Sequence, residues 1–434
     1  MRRFLRPLGI LAALFLLLGV AVVVVLHQWT GSEGFRQRLE REASAALGVP
    51  VSLSRVTVDV FPLPAVALEG LHIQARPPLT LERVEARPAW SALLRGRLVV
   101  STLVVRQAVL PQATIVLLGA RVQDPATQPT ESGATGEAVD LSWLPRRVVL
   151  DDVTWVGVQG RSSTVQAELA LDEDGWPANA TVAVIRGALE GTKALLQREA
   201  DHQTAWTLKV DVGGGTLQGP LTVKLPAASA PVRDLVFEAS LETRGVEVSA
   251  LTAPSRTLTG RLDASTTLSA RINPRAGTAS VADALRSQTR FTVNNAVLHG
   301  VDLARAVATV GLSRGGSTAL DTLAGQVRTR GQRIELTNLV ASSGVLAATG
   351  EVTVAPSRAL SGRVRVDVTR GAGGDVVGVP LVVGGTLDEP SVSLSRSALL
   401  GAAIGTALMP GVGTGAGANL GERLGEGIKG LFGQ

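Results

Sequence analysis

Residues 351–369 read EVTVAPSRALSGRVRVDVT. Val352 and Val354, then Val364, Val366 and Val368, are separated by single residues, and Glu351, Arg363, Arg365 and Asp367 occupy the alternate positions. A side-chain period of two belongs to a strand, and here one face is apolar and the other charged. The pattern recurs outward in both directions. Ile334 and Leu336 carry it, as do Val246 and Val248 around Glu247, Leu208, Val210 and Val212 around Lys209 and Asp211, and Leu169 with Leu171. Nearer the front, Val56, Val58 and Val60 alternate with Thr57 and Asp59, and Leu98 and Val100 open a further strand region. Gly213 to Gly215, Gly260, Gly331, Gly350 and Gly362 supply turn or bulge positions. No long amphipathic helix of the βαβ type intervenes, so the sheet is expected to be mostly antiparallel.

The front of the chain has a different grammar. Residues 8–26, LGILAALFLLLGVAVVVVL, carry no charge and follow Arg2, Arg3 and Arg6. A helix needs about 20 apolar residues to cross a bilayer, so this run reads as a transmembrane helix. The positive-inside rule then leaves residues 1–7 in the cytosol and exports the bulk of the chain. The competing reading is a cleaved secretory signal, but no small-x-small site follows before His27, Gln28 and Trp29. Over 27–48 a short connecting helix is expected: Ser32 caps it, Phe35, Leu39 and Ala43 share a face, and Gly48 with Pro50 stops it.

Composition excludes several classes. There is no cysteine, hence no disulfide framework and no thiolate metal site. The pI of about 10.5 accompanies a net charge of only +5. Aromatics are 3% of the chain and arginines alternate with acids along strands, which lacks the clustered charge and stacking platforms of nucleic-acid binding. Gly311-Leu312-Ser313-Arg314-Gly315 fits a nucleophile elbow, but the histidine base should come later in the chain and the last one is His299. His27, His72, His202 and His299 stand far apart, without paired metal-ligand spacing. Gly411, Gly413 and Ala416 imitate a dinucleotide fingerprint with no strand before them. The expectation is therefore no catalytic residue, no cofactor and no metal.

The fold class expected is mainly β. An N-terminal transmembrane helix and the short helix lead into a long sheet whose apolar face must be hidden. About 20 strands at ~4.8 Å each make such a sheet on the order of 100 Å long. Either it curls lengthwise into a groove or gutter, or it packs face to face as a sandwich. After Trp206 the aromatics are only Phe237, Phe291 and Phe432, so the rear apolar face is Val, Leu and Ala, a surface that suits acyl chains. The candidate groove face comprises Val56, Val58, Val60, Val210, Val212, Val246, Val248, Ile334, Leu336, Val352, Val354, Val364, Val366 and Val368. A polar linker is read at 124–140, a middle β region at 141–285, and a glycine-rich apolar tail at 397–434. In the tail Gly413, Gly417, Gly421 and Gly425 recur every four residues, a spacing that on a helix gives a smooth packing face for a membrane or a partner. A flexible tail fits the same composition.

Several segments resemble the AsmA-like proteins of Gram-negative envelopes. At the front these are LEREASAALGVPVSLSRVTVDVFPLPAVALEGLHI from Leu39 and SALLRGRLVVSTLVVRQAVLP from Ser91. At the rear they are FTVNNAVLHGVDLARAV from Phe291, IELTNLVASSGVLAATGEVTV from Ile334 and VPLVVGGTLDEPSVSLSRSAL from Val379, with Gly384 to Pro390 the most specific piece. The resemblance marks 49–123 as an AsmA-like N-terminal β module and 286–396 as the C-terminal β region. It implies an inner-membrane anchor, a periplasmic groove of the bridge-like lipid-transfer type, phospholipid acyl chains as cargo, and support of outer-membrane biogenesis. An outer-membrane or envelope-assembly partner would meet the tail. The alternative from another class is a non-lipid scaffold or regulator of outer-membrane protein assembly.

Overall fold

The computed structural model describes residues 33–59, 65–89, 99–122, 145–157, 160–200, 202–225, 234–253, 256–272, 283–308, 315–344, 346–370 and 375–394. The run 8–26, the linker 124–140, the tail 397–434, Val60 and Ser313 lie outside them. Among the described residues no helix is long and apolar enough to cross a membrane. The chain divides into two compact units, Met1–Gln203 and Thr204–Gln434.

In the first unit, helix α1 (Glu33–Leu47) leads to β1 (Val51–Ser52) and β2 (Arg55–Asp59), which pair one after the other with the same strand, β3 (Ala65–Ile73). The helix forms where expected, and Phe35, Leu39, Ala43 and Leu47 make its half-buried stripe. It is pinned at the break between β1 and β2. Glu40 accepts the Leu53 amide at 2.8 Å, and Arg36 donates to the Leu53 carbonyl at 2.8 Å, so neither backbone group is left unpaired.

Next come β4 (Leu79–Pro88), β5 (Val100–Pro111), β6 (Arg147–Val156), β7 (Ser162–Leu171), β8 (Pro177–Gly187) and β9 (Lys193–Arg198), each paired with its predecessor. All these pairs are antiparallel except β5 with β6, which run parallel with Thr102 opposite Arg147 and Pro111 opposite Val156. Helix α2 (Gln112–Val122) leaves β5 and begins the crossover that a parallel pair requires. The sheet is mostly antiparallel, as expected, and this pair is the exception.

The second unit is an antiparallel meander in chain order. Its strands are β10 (Ala205–Val212), β11 (Gly215–Lys224), β12 (Leu235–Glu247), β13 (Leu258–Ile272), β14 (Leu285–His299), β15 (Ser317–Arg330), β16 (Arg333–Ser342), β17 (Leu346–Val354), β18 (Leu360–Arg370), β19 (Asp375–Gly385) and β20 (Pro390–Leu394). Two short helices interrupt it, α3 (Val248–Thr252) after β12 and α4 (Leu303–Ala308) after β14. Asp302 caps α4 by accepting the Arg305 amide at 2.9 Å, while the buried Thr318 hydroxyl accepts from the Leu303 amide and donates to the Val301 carbonyl. Among the described residues β20 pairs only with β19, so the sheet does not close.

The glycines divide by role. Gly213 and Gly214 form the β10–β11 turn with φ of +55° and +73°, values that suit the twist of a two-residue hairpin. Gly331 turns β15 into β16, and Gly260 sits at a bulge. Gly350 and Gly362 depart from expectation, because both lie inside strands, opposite Val364 and Val352. A β-carbon on either would strike the neighbouring strand, at the Arg363 and Glu351 carbonyls respectively.

The strict alternation read from sequence also breaks at one row in each unit. Val105 and Ala108, and likewise Leu150 and Val153, are three residues apart yet share one apolar cluster. In the second unit Val293 and Ala296, and Leu320 and Leu323, do the same. Three of these intervals hold a residue with positive φ: Gln107, Asp152 and Asn295. Asn338 marks the row in β16, where the register slips. Each such residue re-aims the side chains beyond it and bends its strand, so one apolar face continues past the row.

Candidate functional site

Residues directly opposite each other in a sheet share a face, so the strand register tests the candidate face. In the second unit Val210 opposes Leu217, Leu217 opposes Thr243, and Val246 just beyond the bulge opposes Leu262. The row carries on through Leu262 with Val293 and Val293 with Leu323. Val327 opposes Leu336, Leu336 opposes Val352, and Ile334 opposes Val354. Val366 and Val368 oppose Ala348 and Leu346 on one side and Val379 and Val377 on the other, and Val364 lies between Gly350 and Leu381. Val210, Val212, Val246, Ile334, Leu336, Val352, Val354, Val364, Val366 and Val368 therefore stand on one apolar face. In the first unit Val56 and Val58 oppose Leu68 and Val66, and their row runs through Val84, Val105, Leu150 and Ala167 to Val182.

One candidate is misplaced. Val248 is on no strand; it opens α3 and is buried in the same apolar cluster as Val293 and Val366. The Gly245 bulge ends the alternation two residues before it, so the Val246-Val248 spacing no longer marks a common face.

Each apolar face is covered at one end by helices of the described residues. In the first unit α1 and α2 lie over Val51, Ile73 and Leu79. Away from them Val66 is 40% and Val182 37% exposed. In the second unit Leu303, Ala306 and Val307 of α4 pack with Val366 and Leu381, all essentially buried. Toward the other strand ends Ile334, Leu336, Val352 and Phe237 are only half-buried, and no described helix lies on them. Trp206, Val223, Val354, Ala239 and Ala270 are buried members of that stretch.

The opposite face is polar and holds features that sequence reasoning missed. Glu85 on β4 is 5% exposed and accepts from Arg83 at 2.7 Å, Arg87 at 3.0 Å and Arg106 at 3.1 Å, while Arg83 also reaches Glu69 at 2.9 Å. Burial works to raise the Glu85 carboxyl, but the bonds from Arg83 and Arg87 and the charges of Arg106 and Arg83 outweigh it and hold it below its ordinary value. A carboxyl depressed on folding stabilises fully above the ordinary value of 4.5 and loses that contribution as pH falls from there through the folded value. Glu85→Gln is expected to cost about 2–3 kcal/mol at neutral pH. Urea midpoints measured from pH 7 down to pH 3 should fall less steeply for the variant than for the parent.

Two concavities of about 700 and 880 Å³ also open on the polar face of the second unit. Ser240, Thr267, Arg286, Gln288 and Arg328 line the first; Thr349, Glu351, Arg363 and Arg365 line the second.

Comparisons with protein-family models, with curated proteins and with solved structures find no match. The chemistry must be read from the side chains. Among the described residues no group of three or more His, Cys, Asp or Glu is placed to hold a metal ion. His72 lies on β3 opposite Thr80, and His299 on β14 stands 3.3 Å from the Thr259 hydroxyl. What the sheet offers is an extended aliphatic strip in each unit, only partly covered by the helices of the described residues and backed by a charged face.

Proposed function

We propose that this chain is an AsmA-like protein, anchored in the inner membrane through residues 8–26 with its bulk in the periplasm, that carries phospholipid acyl chains along its apolar sheet faces and so supports outer-membrane biogenesis. The observation that carries the reading is the register of β10 to β20, which aligns Val, Leu, Ile and Ala side chains of successive strands on one face. Part of that face has no helix of the described residues packed on it. Each methylene kept from water is worth about 0.8 kcal/mol, so a continuous aliphatic strip lets an acyl chain move without entering solvent. The strip is mainly aliphatic, with Trp206, Phe237 and Phe291 its aromatic rings in the second unit. Carriage of this kind requires no catalytic group, and direction would come from a partner or a gradient. The glycine-rich tail is assigned to the far membrane or to an assembly partner.

Photo-crosslinking with mass spectrometry tests the reading. With a crosslinking side chain at Leu336 or Val352, phospholipid is expected on the full-length chain purified in detergent; at Arg365, on the opposite face, none is expected. A folded chain that captures no lipid at either apolar position would replace carriage with the non-lipid scaffold.

A further inference from the structure

At the ends of β14, β15 and β16 away from α4, three arginines stand in a row. Arg286 is directly opposite Arg330, and Arg330 is directly opposite Arg333 across the Gly331-Gln332 turn. Like charges directly opposed in a sheet repel, and a guanidinium cannot shed its charge to relieve the strain. Some cations elsewhere are matched by acids: Arg147 with Glu168 at 2.8 Å, Lys224 with Glu238 at 2.7 Å, Arg358 with Asp388 at 2.9 Å. Among the described residues Arg286, Arg330 and Arg333 have no ion-pair partner, and all three are exposed. They line a concavity of about 640 Å³ together with Asp283, Gln332 and Pro356. Its one carboxylate, Asp283, accepts from Gln332 at 3.1 Å.

The row also borders the apolar face. Arg286 follows Leu285, Arg333 precedes Ile334, and Ile334 opposes Val354. One residue along a strand is about 3.3 Å and successive side chains point to opposite faces, so the arginines rise from the polar face and meet the aliphatic surface round the strand ends. Building on the carriage reading above, we propose that Arg286, Arg330 and Arg333 form a phosphate-binding rim that holds the phosphodiester of a phospholipid whose acyl chains lie on the adjoining apolar face. Guanidinium forks bind phosphate oxygens in pairs, and an anion there neutralises a repulsion that the fold otherwise carries uncompensated. A free phosphate would satisfy the arginines and leave the neighbouring Ile334 and Leu285 unused; an amphiphile uses both.

The test uses the full-length chain in detergent, offered equal amounts of phosphatidylglycerol and of diacylglycerol with the same acyl chains, followed by re-isolation and lipid mass spectrometry. The triple variant Arg286→Gln, Arg330→Gln, Arg333→Gln is compared with the parent. Its substitutions are exposed and remove like-charge contacts, so its thermal midpoint should be no lower. The parent should prefer phosphatidylglycerol, and the variant should lose that preference by about tenfold while keeping diacylglycerol, as expected for losing charge-assisted hydrogen bonds. Equal preference in parent and variant, with lipid still captured, overturns the rim and leaves carriage standing. Capture of neither lipid by the parent ends both. Arginine-dependent binding of inorganic phosphate with lipid capture unaffected assigns the row to free phosphate and overturns the lipid headgroup.

Discussion

Val366→Asp is expected to unfold the second unit rather than to interrupt a bound lipid. Val366 is fully buried, between Ala348 and Val379, in the cluster covered by α4. The substitution removes a packed isopropyl group and places a carboxyl in the apolar cluster of Ala306, Val307 and Leu381. The combined cost is about 4 kcal/mol or more, against a total stability of about 5–15 kcal/mol for a typical domain. Circular dichroism of the full-length variant should show a lower and broader thermal transition than that of the parent, and lower still as pH rises and the carboxyl ionises. A parent-like transition would mean that water reaches this position and that α4 does not seal it.

Val352→Asp and Leu336→Asp should behave oppositely, keeping the fold and losing the lipid. The two residues face each other away from α4 and are half-buried, so a carboxylate at either can turn to water at a cost of about 1 kcal/mol. An acyl chain lying across it has no such escape. Forcing hydrocarbon against a charged group costs several kcal/mol, and about 1.4 kcal/mol is tenfold in occupancy. Lipid recovered from either variant should therefore fall at least tenfold at unchanged protein yield. Undiminished lipid in a folded Val352→Asp chain would remove the apolar face as the carrier.

The contrast between Val366 and Val352 shows what the sequence could and could not reveal. Both sit at alternate positions of one short stretch and both were legible as inward-facing. Period two reports the face of a strand, but not what lies over it. The cover at Val366 comes from Leu303 to Ala308, distant in the chain and too short to announce itself as a helix of consequence. Val248 misled for a related reason: its spacing from Val246 is that of a strand, and only the Gly245 bulge turns the backbone into α3. Gly350 and Gly362 read as punctuation because glycine usually is, whereas here they allow β17 and β18 to approach closely. The arginine row was visible only as scattered letters, since Arg286, Arg330 and Arg333 become neighbours through pairings between different strands. Glu85 stands among alternating charges on β4, and its burial depends on Arg106 of the next strand, which no local pattern announces.

The parallel pairing of β5 with β6 bears on how the first unit assembles in time. The other neighbouring pairs among β3 to β9 are joined by five residues each, or by eleven between β4 and β5, so each strand can dock on its predecessor almost as soon as it is made. Joining Pro111 to Arg147 closes a much longer loop, at an entropic cost about 2 kcal/mol above that of a tight hairpin turn. Non-local closure of this kind slows folding more than it weakens the folded state. The unit thus contains a kinetic seam: β3 to β5 and β6 to β9 can each zip locally, and their joining along Val105 and Leu150 sets the pace at which the apolar face becomes continuous.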